Sequence, residues 1–293
     1  MRVLVDIAAD VWSLTVLVVA GEVPMARASA GRSTLSRHLR LLESFSAEAP
    51  FLTLTEIAHA ANVPASTAHS LLRELESNGL VERRDDRTYR LGLRLWELAS
   101  RTPGAVGLRE TALPYLVEAH AVIGQHVQLA VMSDRDVLFL ERLSDRDAVV
   151  SVTIVGGRLP INASASGFVL LAALDDAARE AYLAGPLPTF TAHTPAAPEE
   201  VRRALARVRR ERFAVLDGAL HVGVRGIAVP VRGATGETVA ALGAVVPADD
   251  TAVVTVVGVL RVASQKVTTA LRAAATAAHR SEISLQSNFA RED

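Results

Sequence analysis

The stretch from Thr53 to Gly79 constrains this chain most, because it dictates where two helices start and stop. Thr53-Leu54-Thr55-Glu56 has the form of a capping box, in which a Thr hydroxyl and a Glu three residues on satisfy orphan amides reciprocally. Leu54, Ile57, Ala58 and Ala61 then share one helical face. Asn62 tolerates the left-handed conformation of a tight turn, and Val63 is a small apolar plug. Pro64 sits where a helix accepts proline in its first turn. In the next helix Ala68, Leu71, Leu72 and Leu75 are spaced i, i+3, i+4, i+7, and Asn78-Gly79 ends it.

Two helices joined by a short turn, the second opening on small polar residues, form the helix-turn-helix pattern. A preceding helix from Ser33 completes a three-helix unit, with Leu35, Leu39, Leu42 and Phe45 as its apolar stripe. Leu80–Arg83 and Thr88–Leu91, around the turn Arg84-Asp85-Asp86-Arg87, read as a hairpin or wing. The outer face of the second helix of the pair presents Ser66, Thr67, His69, Ser70 and Arg73. Its hydroxyls and helix dipole suit a phosphate, and Arg73 has the reach for a phosphate or a guanine edge. With Thr53 at the cap and Arg83, Arg84, Arg87 and Arg90 on the wing, these are the candidate contacts to double-stranded DNA. Asp85 and Asp86 are assigned to shaping the turn. The net charge is −1, from 31 Lys+Arg against 32 Asp+Glu, so attraction to DNA has to come from local arginines. The alternatives are a helix-turn-helix serving protein contacts and wing arginines that are simply solvated.

The run Leu52–Ser100 resembles the DNA-binding half of the IclR family of regulators. That family shows a Gly-Leu-Pro turn, a Ser-Thr-Val-His-Arg-Leu-Leu recognition helix and a wing ending in Tyr-Arg-Leu-Gly. This chain has Asn62-Val63-Pro64, Ser66-Thr67-Ala68-His69-Ser70-Leu71-Leu72 and Tyr89-Arg90-Leu91-Gly92. Ser70 departs from the family's Arg, which removes one direct DNA contact and implies a divergent operator. The resemblance continues to about Arg280 and implies an α+β two-domain protein: an N-terminal winged helix-turn-helix plus a C-terminal GAF-like effector-binding domain. The expected organisation is a poorly ordered leader over 1–32, the winged helix-turn-helix over 33–93, a linker helix over 94–106, the effector-binding domain over 107–280 and a tail over 281–293.

In the linker, Leu95, Trp96, Leu98 and Ala99 form a short amphipathic helix. The resemblance implies that it helps join two chains; the alternative is that Trp96 packs on its own domain. Beyond it, Leu108–Ile123 reads as a helix with Leu113, Leu116, Val117 and His120 near one face and Pro114 as a kink or a first turn. Strands are expected at His126–Val131, Val137–Leu140, Ala148–Val155, Arg225–Val231 and Thr238–Val246. Helices are expected around Glu199–Arg212 and from about Asp250 to Ala278. Sheet with helices packed on it is the economical architecture.

Gly156–Leu174 resembles the family's Gly-x-Arg-x-Pro-x-His-Ala-x-x-x-Gly-Lys signature, with Asn162 in place of His and Phe168 in place of Lys. Asn162 and the small residues that follow, Ser164, Ala165 and Ser166 among them, open a helix whose free amides suit a carboxylate. Ordinary capping by Asn162 is the alternative. The resemblance adds Asp217, Gly226 where Cys is common, and Gly243 and Val245 where the family often has Ser. Arg225 is a candidate anion partner or a surface ion pair. These replacements imply a larger, more apolar pocket for an aromatic or apolar organic acid, or else loss of ligand binding.

Enzyme classes find no support. Gly-x-Ser-x-Gly, His-Glu-x-x-His and nucleotide-binding loops are absent, and the chain has no Cys, which excludes disulfides and thiolate metal sites. No catalytic residue, metal or cofactor is expected. The apolar run Val3–Ala20 is broken by Asp6 and Asp10. Its uncharged part is shorter than the roughly 20 residues a membrane span needs, so no membrane role is expected. The expected protein is a cytoplasmic, homodimeric or homotetrameric regulator of transcription, activator or repressor, whose partners are DNA and a small-molecule effector.

Overall fold

The computed structural model describes residues 33–46, 49–101, 105–145, 148, 153–249 and 253–289; the leader expected over 1–32 lies outside them. The chain divides into two compact units, Met1–Val106 and Gly107–Asp293.

The first unit contains α1 (Thr34–Leu42), β1 (Leu52–Thr53), α2 (Leu54–Ala60), α3 (Ala65–Ser77), β2 (Val81–Arg83), β3 (Thr88–Leu91) and α4 (Leu93–Ala99). The strands form a three-stranded antiparallel sheet in the order β1-β3-β2. The capping box is present: the Thr53 amide donates to Glu56 at 2.7 Å, and the Glu56 amide to the Thr53 hydroxyl at 3.3 Å. Asn62 adopts φ 50°, which makes the turn, and α3 buries Ala68, Leu71, Leu72 and Leu75. Pro64 is the residue before α3 rather than in its first turn.

The α1 stripe differs from the sequence expectation. Leu41, absent from that stripe, is fully buried, with Leu42 and Phe45 packed beside it. Leu35 and Leu39 stay exposed, at 66% and 47%. The inward direction of α1 is fixed by α3, where His38 Nε2 lies 2.9 Å from the Glu74 carboxylate. α4 buries none of its residues, and Trp96 is 68% exposed, so it does not pack on its own unit.

The second unit contains α5 (Ala105–Ile123), β4 (His126–Ser133), β5 (Asp136–Leu143), β6 (Arg158–Pro160), α6 (Ala165–Ala172), α7 (Asp176–Leu183), α8 (Pro198–Glu211), β7 (Ala214–Asp217), β8 (Val224–Arg232), β9 (Thr238–Pro247) and α9 (Val253–Phe289). The six strands pair antiparallel in the order β6-β5-β4-β9-β8-β7. Alternation along each strand builds a core on both faces. On one face Ala130, Phe139, Ala228 and Ala241 pack under α6, α7 and α8. On the other Leu129, Ile227, Val229 and Leu242 pack under α5 and α9.

Several elements depart from the sequence expectations. Pro114 lies inside α5, which buries Leu108, Ala112, Leu116 and Ala119 and leaves Val117 exposed. The strand expected at 148–155 falls largely on residues outside the description; Thr153–Val155 are not strand, and β6 takes the place beside β5. β7 and α7 were not anticipated. α9 continues to Phe289, beyond the helix end expected near Ala278. α9 has the length and composition of a membrane span, yet Val256, Val257, Leu260, Ala263 and Val267 are buried against the sheet.

Candidate functional site

Within the first unit, Ser66, His69, Ser70 and Arg73 form the exposed side of α3, with Thr67 half-buried at its N-terminal turn. Thr53 is spent locally: its hydroxyl donates to Glu56 and accepts the Glu56 amide. The wing is closed by Arg87, in a left-handed conformation at φ 64°, and by Asp86, whose carboxylate accepts from the Thr88 amide and hydroxyl. Those bonds hold the Asp86 carboxyl below its ordinary range.

The wing arginines are not equivalent. Arg90 donates twice to the Glu82 carboxylate across the hairpin, at 2.6 and 2.8 Å, and this pairing holds Glu82 below its ordinary range. Arg84 bonds Asp86 at 2.9 Å and stacks on Phe51. Arg83 lies over the Tyr89 ring. Arg73 and Arg87 make no side-chain hydrogen bond or ion pair among the described residues. A guanidinium already paired gains less from a phosphate, because it must first give up its carboxylate. The cationic surface is therefore narrower than a count of arginines implies.

In the second unit, a tight turn delivers the start of α6 to the sheet. Ile161–Ala163 forms a single 3₁₀ turn and Ser164 caps α6, accepting from the Gly167 amide at 3.4 Å. Gly167 is obligatory, since a Cβ there would collide with the Ile161 carbonyl oxygen. Every residue of α6 is buried, Phe168 included.

Between the first turn of α6 and strands β4, β8 and β9 lies a cavity of about 50 Å³. Ser164, Ala165, Ser166, Gly226 and Val245 line it, joined by Gln128, Thr153, Leu220, His221 and Val224. Gln128 accepts from the Thr153 hydroxyl at 2.9 Å. The Ser166 hydroxyl, on a residue 1% exposed, has no hydrogen-bond partner among the described residues.

Asn162 is not in this wall. Its amide nitrogen donates to the carbonyls of Pro188 and Pro195, each at 2.9 Å, and its backbone amide donates to the Tyr182 hydroxyl. It pins the segment before α8, while Ser164 performs the capping. Asp217 and Arg225 also lie off the wall, paired at 2.5 Å. Gly226 lines the cavity and Gly243 does not. A Cβ at Gly226 would stand 3.4 Å from Ala165 Cβ, and one at Gly243 3.0 Å from Ser166 Oγ. The absent side chain at Gly243 lets the first turn of α6 sit close against β9.

Comparison with known proteins agrees with both halves of this geometry. Residues 34–85 match the IclR helix-turn-helix domain, and residues 103–279 match the bacterial transcriptional regulator IclR C-terminal domain. The chain belongs to the IclR family. The transcriptional regulator XynR of Escherichia coli is 33% identical over 211 residues, covering 71% of this chain and 84% of that protein. The Pca regulon regulatory protein of Pseudomonas putida is 31% identical over 72% of each chain. An IclR homologue from Microbacterium hydrocarbonoxydans, solved in complex with 4-hydroxybenzoate, is 42% identical with a TM-score of 0.76, over 82% of this chain and all of that one.

This IclR-family protein is thus a DNA-binding transcriptional regulator with a small-molecule effector domain. Sequence reasoning missed Gln128, Thr153 and His221 in its cavity wall. A polar residue at Gln128, inside the apolar strand His126–Val131, was the available signal. Thr153 lies in the segment read as a strand, which is irregular there, and His221 lies in a loop that no periodicity marks.

Proposed function

We propose that this regulator binds its operator as a homo-oligomer in the cytoplasm, and that an aromatic hydroxy acid of the 4-hydroxybenzoate type controls it. Ser66, Thr67, His69, Ser70 and Arg73 enter the major groove. Arg83, Arg84 and Arg87 of the wing hold flanking phosphates, with Thr53 and Arg90 in supporting positions. Exposed Leu35, Leu39, Leu93, Trp96 and Leu98 on α1 and α4 supply apolar surface for a second copy, which a two-half-site operator requires.

One observation carries the effector reading: the buried, unpartnered Ser166 hydroxyl at the first turn of α6. A buried hydroxyl without a partner is costly, and free first-turn amides favour an anion. A carboxylate set on this turn satisfies both, and its ring meets Leu220, Val224 and Val245. A cavity of about 50 Å³ is smaller than such a ligand, so entry requires the Gly218–Gly223 loop, which carries Leu220 and His221, to open. The 4-hydroxybenzoate complex of the Microbacterium homologue supports this ligand class.

A mobility-shift titration on the regulator's own upstream DNA, with and without 4-hydroxybenzoate and across salt, tests the reading. Expected are a shift that weakens steeply with salt and a ligand-dependent change in affinity. Arg73→Ala is expected to reduce binding to the operator more than to random DNA. Absence of any shift at low salt refutes the DNA half. No response in either binding or melting temperature to 4-hydroxybenzoate and related aromatic acids refutes the effector half.

A further inference from the structure

The sensor cavity is not the roomiest recess in the second unit. At the opposite end of the sheet a cleft of about 500 Å³ opens between the end of α6, the end of α8 and the β8–β9 turn. That volume is in the range of small-molecule sites. Its floor is apolar, formed by Met132, Leu170, Pro230 and Val239, and Arg179, Arg209, Arg212 and Arg232 stand around it. Among the described lining residues Glu237 alone is acidic.

These arginines are unequally committed. Arg179 bonds the Leu174 carbonyl and Asp176, and Arg209 lies 3.9 Å from the same Asp176 carboxylate, so the two cations share one anion. Arg232 donates to the Gly236 carbonyl at 3.0 Å, a neutral acceptor. The Arg212 side chain has no hydrogen bond or ion pair among the described residues. Arg212 also ends α8 at φ 62°, a left-handed position where Gly or Asn is the usual choice. The helix ends here need no guanidinium from Arg212, since Arg179 and Arg261 already take the Leu174 and Glu211 carbonyls.

We infer that this cleft is a second ligand site, for an organic anion with an apolar body, separate from the sensor cavity. The apolar floor takes the body, and Arg212 and Arg232 take the anionic head. The two sites face opposite ends of α6, whose eight residues span about 12 Å, so one ligand of this size does not fill both.

Titration of the full chain with 8-anilinonaphthalene-1-sulfonate, an aromatic sulfonate whose fluorescence reports apolar binding, tests this, with octanoate as competitor. Expected are saturable binding, displacement by octanoate and no displacement by 4-hydroxybenzoate. Arg212→Gly or Arg232→Ala is expected to weaken binding about tenfold, the loss of one charge-assisted contact. Arg212→Gly relieves the left-handed backbone, so its melting temperature should not fall. The inference is overturned if the wild type does not bind the probe saturably, if octanoate does not compete, if both variants bind it unchanged, or if 4-hydroxybenzoate displaces it. The last result would place the probe in the sensor cavity. Failure of 4-hydroxybenzoate to bind anywhere would count against the sensor reading and leave this one standing.

Discussion

Replacing Ser166 by alanine should make the protein more stable and a worse sensor at the same time. The hydroxyl is buried, without a partner among the described residues, and in the first turn of α6. Leaving such a group unsatisfied costs about 1–3 kcal/mol, and alanine is also a better helix former than serine by about 0.5 kcal/mol. Taking the lower end of the first figure, because the hydroxyl borders a cavity, the gain is about 1–2 kcal/mol. For a unit the size of Gly107–Asp293, each kcal/mol moves the melting temperature by about 2–4 °C, so a rise of about 2–8 °C is expected. With the carboxylate's partner gone, affinity for 4-hydroxybenzoate should fall about fivefold, from the loss of about 1 kcal/mol. Thermal unfolding of both proteins with and without the ligand reads both quantities. The variant should start higher and gain less from ligand. A lower melting temperature in the ligand-free variant would refute the reasoning, because it would mean that the hydroxyl already has a partner worth keeping.

Glu82→Gln should free Arg90 on the wing, raising affinity for random and operator DNA alike and steepening the salt dependence by up to about one counterion; unchanged affinity in a salt-series mobility shift would mean that Arg90 never reaches a phosphate. Gly167→Ala should cost about 3 kcal/mol or more, because the new methyl meets the Ile161 carbonyl oxygen inside the core; a calorimetric melting transition of the second unit lowered by about 6 °C or more is expected, and an unchanged transition would refute it. Burial raises the Asp136 carboxyl above its ordinary range, with Arg158, 4.0 Å away, only partly opposing. The folded state then holds that proton more tightly than the unfolded one, so Asp136 lowers stability as pH rises through its folded pKa. Asp136→Asn should therefore melt higher than wild type at neutral pH, with the difference vanishing below the carboxylate range; a difference that does not shrink in acid would contradict the assignment.

Much of the first unit could be read from the chain because its determinants are local. The four buried positions of α3 follow from spacing, the start of α2 from Thr53 and Glu56, and the turn from the left-handed tolerance of Asn62. Each involves residues within a few positions of one another, so periodicity and capping chemistry suffice. The effector half was legible mainly through its signature segment, which delivers Ser164, Ala165 and Ser166 to the cavity.

What remained hidden depends on which distant group a residue meets. Arg90 looks like a phosphate contact until Glu82 is seen across the hairpin. Asn162 looks like a ligand contact until the carbonyls of Pro188 and Pro195 are found on its amide. Gly226 and Gly243 suggest the same pocket, yet Gly226 lines the cavity while Gly243 sits against the Ser166 hydroxyl. The sequence by itself determined the helix pair, the turn, the wing and the small-residue opening of α6, because local sterics and backbone hydrogen bonding set these. Only the tertiary structure decided which cations are free, which polar groups are already satisfied and where the open volume lies. Those depend on partners brought together from distant parts of the chain, and no local pattern encodes that pairing.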